Sequence, residues 1–171
     1  MVSAQFRSLG SALACAALLA SAGIAGSAAA TSVRGIASAV EGDLVLVEGR
    51  QIRLHGIDAP DPGQTCRTRL GYVYDCGAEA RAMLDRLLAG REVDCDIRHE
   101  TGDGRTAATC RIGGISVAGA MVLRGWAFAA VRLAPDYVRF QALAQSRRAG
   151  MWAGRVEAPW LWRSRQLRER R

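Results

Sequence analysis

Cys95 and Cys110 stand symmetrically about Gly102-Asp103. An antiparallel hairpin turning in the glycine-rich run Thr101-Gly102-Asp103-Gly104 would set the two cysteines directly opposite each other, near the separation that a disulfide requires. Arg91 to Arg98 and Thr106 to Ile112 are therefore expected as the arms of one hairpin. That pairing leaves Cys66 with Cys76, pinning a loop. Four cysteines admit three pairings, and sequence alone does not decide among them; the hairpin favours this one. A zinc site is the competing use of four cysteines, but no C-x-x-C pair is present.

The fifth cysteine, Cys15, falls in a segment unlike the rest. Residues 1–30 hold one basic residue, Arg7, then from Leu9 a run of apolar and small residues ending in Ala28-Ala29-Ala30. This is the layout of a secretory signal peptide with a small-x-small cleavage site. A retained anchor is the rival reading, but the run is rich in Ala, Gly and Ser and its strongly apolar cluster is short. A lipoprotein at Cys15 fits less well, because Ala12 stands where a large aliphatic residue is usual. Export places the other cysteines where disulfides persist. The expected product is a periplasmic or secreted monomer with no stable membrane insertion.

The formal charge of the chain is +7, and loss of residues 1–30 removes Arg7 and no acid. All 23 basic residues are arginine. A planar guanidinium grips phosphate through two parallel hydrogen bonds, so the composition suits a polyanionic partner. For most of these arginines a GC-rich genome is the simpler cause.

From Val33 to Ile57 apolar and polar residues alternate between glycines, the pattern of a two- or three-stranded meander. A polar loop rich in glycine and proline is expected from Pro60 to about Asp75. Ala80, Met83, Leu84, Leu87 and Leu88 then recur at the spacing of one buried helical stripe, with Gly90 placed as its C-terminal cap. After the hairpin, Ser116 caps a short helix that stops at Gly125, and another starts after Pro135 and ends at Gly150. About five strands with three helices make an α+β domain built on a small barrel, over residues 31–152. Residues 153–171 form a Trp/Arg-rich tail. Its last nine residues carry five arginines against Glu169, and such an end reads first as a solvated terminus. Beside Trp152, Trp160 and Trp162, however, Arg163, Arg165 and Arg168 can serve phosphate and base together, and they are candidates for nucleic-acid contact.

Phosphodiester hydrolysis needs a metal held by oxygen ligands, cationic groups for the charge growing on phosphorus, and a positioned water. Glu41-Gly42-Asp43 puts carboxylates at a strand start. Ile52 to Asp61 puts Arg53 on a strand and Asp58 and Asp61 beyond it. Asp43 and Asp58 can equally be turn-capping residues, and Arg53 can pair with Asp58 structurally. His55 and His99 lack metal-ligand spacing and read as structural or surface residues.

The stretches EGDLVLV, IRLHGIDAPD, GDGRTAAT and GGISVAGAMVLRGWA, in this order and with a helix between the second and third, resemble the thermonuclease (staphylococcal-nuclease-like) family from about Val33 to Trp152. The resemblance implies an OB-fold-like five-stranded barrel and an endonuclease acting on single-stranded or unwound DNA or RNA. Asp43 and Asp58 match the family's metal-binding carboxylates, with the backbone carbonyl of Ala59 as a further ligand, and calcium is the implied ion. Arg53 and Arg105 match its phosphate-neutralising arginines. Asp61 takes the place of the catalytic glutamate that orients or activates the attacking water.

Three positions depart from the pattern. Asp61 is one methylene shorter than glutamate. In the turn, Gly102 and Asp103 replace a lysine and a tyrosine. Val131 replaces a base-contacting tyrosine. The alternative reading is therefore a catalytically weak or inactive OB-type nucleic-acid-binding module of the cell envelope.

Overall fold

Alternating burial begins at once in the computed structural model, which describes residues 32–171 except Asp103. The expected signal peptide and the turn residue Asp103 lie outside the described residues. β1 (Ser32–Ala39), β2 (Leu44–Val47) and β3 (Arg50–Leu54) form an antiparallel meander, with Ala37 opposite Val47 and Val45 opposite Ile52. The tight turn between β2 and β3 places Glu48 and Gly49 at φ 48° and 75°, a left-handed pair that suits a two-residue hairpin. β4 (Ile57–Asp58) follows directly.

The loop expected between Pro60 and Asp75 contains a small hairpin of its own, β5 (Thr65–Arg67) and β6 (Val73–Asp75), with Cys66 opposite Tyr74. Polarity hid it. Only Cys66 of these strand residues is buried, so no apolar alternation marks it, and the Cys66–Cys76 disulfide ties it to the next helix instead.

That helix, α1 (Cys76–Leu88), begins where the Asp75 carboxylate accepts the Ala78 N–H at 2.8 Å. Its stripe of Ala80, Leu84 and Leu88 is buried as the spacing requires, with Met83 and Leu87 packed at its edges. Full burial of a leucine side chain contributes about 1.5–3 kcal/mol. The left-handed stop is already Ala89, at φ 38°, one residue before Gly90.

β7 (Glu92–Glu100) and β8 (Thr106–Ile112) are the hairpin drawn from the cysteines, and Cys95 and Cys110 are register partners joined by a disulfide. β7 also pairs with β1, while β8 runs parallel to β3 with Arg53 opposite Ala107. The order β3-β2-β1-β7-β8 therefore closes on itself as a five-stranded barrel. Its interior is filled by Val45, Val47, Ile52, Leu54, Val93 and Ala108 with the buried disulfide.

β9 (Ile115–Ser116) turns into α2 (Val117–Leu123), whose first turn is capped by the Ser116 hydroxyl accepting the Gly119 N–H. β10 (Phe128–Ala129) pairs with β4. A 3-10 turn over Pro135–Tyr137 leads into α3 (Val138–Ser146). The last element corrects the expectation of a solvated terminus. Pro159–Glu169 is a fourth helix, α4, begun by proline at its first turn and docked through Arg163. No helix among the described residues is long and apolar enough to cross a membrane.

The 95–110 bridge closes a separation of 15 residues inside the barrel, which corresponds to about 3 kcal/mol of restricted unfolded-chain freedom. The double change Cys95→Ala and Cys110→Ala is expected to lower unfolding free energy by about 2–4 kcal/mol in urea titration. A stability equal to the parent's refutes that role.

Candidate active site

Asp43 enters β2 from a tight turn in which the Val40 and Glu41 amides both donate to the Leu44 carbonyl, while the Asp43 carbonyl accepts the Leu54 amide of β3. Its carboxylate is thereby carried inward and is almost wholly buried. Two donors meet it: Arg53 Nη1 on Oδ1 at 2.7 Å and the Ala59 N–H on Oδ2 at 3.3 Å. Arg53 also lies 3.7 Å from Glu41 Oε2. Its structural partner is thus Asp43 with Glu41 behind it, not Asp58.

Asp58, at the end of β4, and Asp61, after Pro60, share a single guanidinium. Arg163 of α4 donates from Nη2 to Asp58 Oδ2 at 2.7 Å and from Nη1 to Asp58 Oδ1 at 3.1 Å and Asp61 Oδ2 at 2.8 Å. A cleft of about 410 Å³ opens among Asp43, Arg53, Asp58, Asp61 and Arg163, with Ile57, Ala130 and Leu133 as its apolar part.

Burial pushes the Asp43 carboxyl up to about 6, against the pull of Arg53 and the Ala59 N–H, and Asp58 and Glu41 push it the same way. Burial also raises Asp61, opposed by Arg163 and reinforced by Asp58 and Glu41. Arg163 is moved further up by its hydrogen bond with Asp58. Negative charge in this cleft is therefore only partly compensated.

Arginine 105 is not among the residues lining the cleft. It stands just before β8, two residues ahead of Ala107, the register partner of Arg53. Of the remaining tail candidates, Arg165 is engaged by Glu157 and Glu169, and Arg168 donates to the Ser164 hydroxyl. His55 and His99 meet edge to face at 5.6 Å between ring centroids, away from the carboxylates' hydrogen bonds.

Gln64 carries no sequence signal of importance, since it is one polar residue in a glycine- and proline-rich loop. It is nonetheless fully buried. Its Oε1 accepts the Asp61 N–H at 3.1 Å, its Nε2 donates to the Glu157 carbonyl at 2.7 Å, and its own carbonyl receives the Cys76 and Gly77 amides. One side chain thus joins the Asp61 loop to the segment that launches α4. Gln64→Ala leaves two buried groups without partners and is expected to cost about 1–3 kcal/mol of stability, read by denaturant titration. A cost below about 0.5 kcal/mol would contradict that linkage.

Residues 51–154 match the family described as staphylococcal nuclease homologue. The chain is 32% identical over 161 residues to the succinoglycan biosynthesis protein ExoI of Rhizobium meliloti (strain 1021), covering 91% of this chain and 80% of that protein. It is 31% identical over 125 residues to the probable staphylococcal-like nuclease CAN1 of Oryza sativa subsp. japonica, covering 71% of this chain and 35% of the relative. With CAN4 of the same plant it shares 28% over 130 residues, covering 74% and 24%. This chain thus spans about a third or less of the length of these rice relatives.

Proposed function

The chain belongs to the staphylococcal nuclease homologue family, and from that premise we propose that it is an exported endonuclease hydrolysing phosphodiester bonds of DNA or RNA with a calcium ion. The observation that carries this reading is the cleft itself, where Arg53 sits beside a buried aspartate and two more aspartates converge across about 410 Å³. The relatives named as nucleases agree with it. Two disulfides suit an oxidising compartment, and a periplasmic or secreted location is the finer reading.

The donor set fits a hard divalent cation. It consists of hard oxygen donors, the Asp43 and Asp58 carboxylates and the Ala59 carbonyl, with Asp43 and Asp58 lining one cleft. Asp43, Asp58 and the Ala59 carbonyl would hold the ion, which supplies Lewis-acid polarisation of a phosphoryl oxygen when bound. Arg53 and Arg105 bind the scissile phosphate and offset the charge that grows on its oxygens. Asp61 orients the attacking water and accepts its proton on a side-chain oxygen. Ile57, Ala130 and Leu133 keep the far side of the cleft apolar. Arg163 holds Asp58 and Asp61 until a cation takes the same oxygens, Arg168 supplies a further phosphate contact along the exposed face of α4, and Arg165, held by Glu157 and Glu169, does so only on leaving them.

A second reading is favoured by one specific contact. Because Arg163 already satisfies both Asp58 and Asp61, a chain with the short Asp61 arm can serve as a weak or inactive nucleic-acid-binding module. Incubating purified protein with single-stranded DNA, in calcium and then in chelator, separates the two. Calcium-dependent cleavage supports the enzyme. Binding without cleavage, in the parent and in Asp61→Glu alike, supports the module.

Under the enzyme reading, Arg53→Lys and Arg105→Lys are each expected to lower the rate by about a hundredfold, since lysine keeps the charge and loses the planar fork. Rates within threefold of the parent would remove that arginine from the chemistry. Asp61→Glu should raise turnover while calcium affinity stays nearly constant, because a positioning error of about an ångström costs on the order of a hundredfold; unchanged or lower turnover counts against Asp61 as the water's holder. Arg163→Ala should tighten calcium binding several-fold in titration calorimetry, and unchanged affinity would show that guanidinium and cation do not compete.

A further inference from the structure

Beyond the catalytic carboxylates, the hairpin β5–β6 and the segment after α3 enclose a second cleft. One part, of about 600 Å³, is lined by Arg69, Tyr74, Trp126 and Arg148 with the single acid Glu79. A contiguous part of about 330 Å³ shares Arg69 and Arg148 and adds Trp152 and Arg155. Arg69, Arg148 and Arg155 are all exposed, and none of their guanidinium groups has a hydrogen-bond or ion-pair partner among the described residues. This sets them apart from Arg53, Arg163 and Arg165, each of which is held by carboxylates.

The walls of this cleft are tied together before any ligand arrives. Arg67 and Arg155 exchange two backbone hydrogen bonds, at 3.0 and 2.8 Å. Beside them, a Cβ on Gly154 would lie 1.9 Å from the Arg67 carbonyl oxygen, so only glycine lets the two segments approach this closely. The disulfide from Cys66 to Cys76 anchors the same hairpin to α1. A backbone fixed in this way need not be ordered on binding, which favours affinity.

We propose that this cleft is a second nucleic-acid subsite, in which Arg69, Arg148 and Arg155 hold successive phosphates of a single strand while Tyr74 and Trp126 offer ring faces to its unpaired bases. The inference deepens the nuclease reading and rests on its substrate class. Charge complementarity selects the occupant: three unpaired guanidinium groups around one cleft demand a polyanion, and the rings between them suit a polymer with π-faces. The cleft is also continuous in sequence with the catalytic loop. Asp61 and Arg69 lie on either side of Gln64 in one segment, which Gln64 fastens through the Asp61 N–H and the Glu157 carbonyl.

The test compares the purified protein with Arg69→Ala/Arg148→Ala/Arg155→Ala and with a control, Arg34→Ala/Arg86→Ala/Arg111→Ala, that removes equal charge elsewhere. Binding of a fluorescein-labelled oligothymidylate of about 20 nucleotides is measured in chelator over a salt series, since single strands change the slope of log K against log salt by about 0.7 per phosphate contact. Hydrolysis of bis(p-nitrophenyl) phosphate in calcium reports the catalytic cleft separately. The expected result is at least tenfold weaker binding at low salt and a slope flattened by about 2 for the cleft variant alone, with small-substrate hydrolysis unchanged. Unchanged affinity and slope, or an equal loss in the control, overturns the proposal. A loss confined to an acidic polysaccharide such as polygalacturonate also overturns it, in favour of another polyanion. If the parent hydrolyses neither substrate yet the cleft variant loses the oligothymidylate, the nuclease reading fails and the subsite stands.

Discussion

β3 is hydrogen-bonded along both edges, antiparallel to β2 and parallel to β8. The Arg53–Asp43 side of the candidate cleft is positioned from it. A barrel closed at this strand leaves it no free edge along which to slip, so Arg53 stays fixed between Leu44 and Ala107 in register. The same strand reaches back through the Leu54 amide to the Asp43 carbonyl, which keeps the aspartate backbone level with the arginine it pairs. The ion pair is thus a consequence of closure: the strands bring the two residues together, and the 2.7 Å contact reports that geometry. A buried pair of this kind adds little net stability by itself, because desolvation offsets the attraction. Its value lies in holding charge at a chosen place.

Charge at that place is unbalanced by design of the fold. Among the described residues the ion-pair partners of Glu41, Asp43, Asp58 and Asp61 are Arg53 and Arg163, so four carboxylates, if all ionised, face two guanidinium groups with a formal charge of −2. The upward shifts of Asp43 and Asp61 come first from burial, with the neighbouring carboxylates Asp58 and Glu41 adding to them. Arg163 of α4 offsets part of this charge through its hydrogen bonds to Asp58 and Asp61. Arg163 thus links α4 to the charge of the cleft through Asp58 and Asp61.

Local pattern carried the barrel and failed at the far contacts. The symmetric cysteines, the α1 stripe and the Ser116 cap are short-range signals, each readable within about 15 residues, and the corresponding elements stand where those signals put them. The resemblance supplied the cleft residues, and Arg53, Asp43, Asp58 and Asp61 do converge. Hidden were the features whose cause lies elsewhere in the chain. Arg163 meets Asp58 across 105 positions, and nothing within α4 distinguishes it from Arg165 or Arg168. The β5–β6 hairpin has no apolar face, because a disulfide and a backbone bridge to Arg155 take the part that burial usually plays.

Asp61 shows how far these far contacts constrain the chemistry. A shorter side chain than glutamate is tolerable if the backbone beneath it can move toward the substrate, but here it cannot. Its amide is held by Gln64, and its carbonyl oxygen lies where a Cβ on Gly77 would be only 2.0 Å away, so the loop rests directly on the first turn of α1. That turn is itself anchored by the Asp75 cap and the Cys76 bridge. Under the proposed enzyme reading, reach lost at Asp61 would be recovered from the substrate's side, by a strand drawn closer to the loop. Contacts that pull on the strand outside the catalytic cleft acquire weight for this reason, since binding energy realised away from the reacting bond can be used to seat it. Of the arginines lining the second cleft, Arg69 lies on this same loop segment, while Arg148 and Arg155 reach it from the chain after α3.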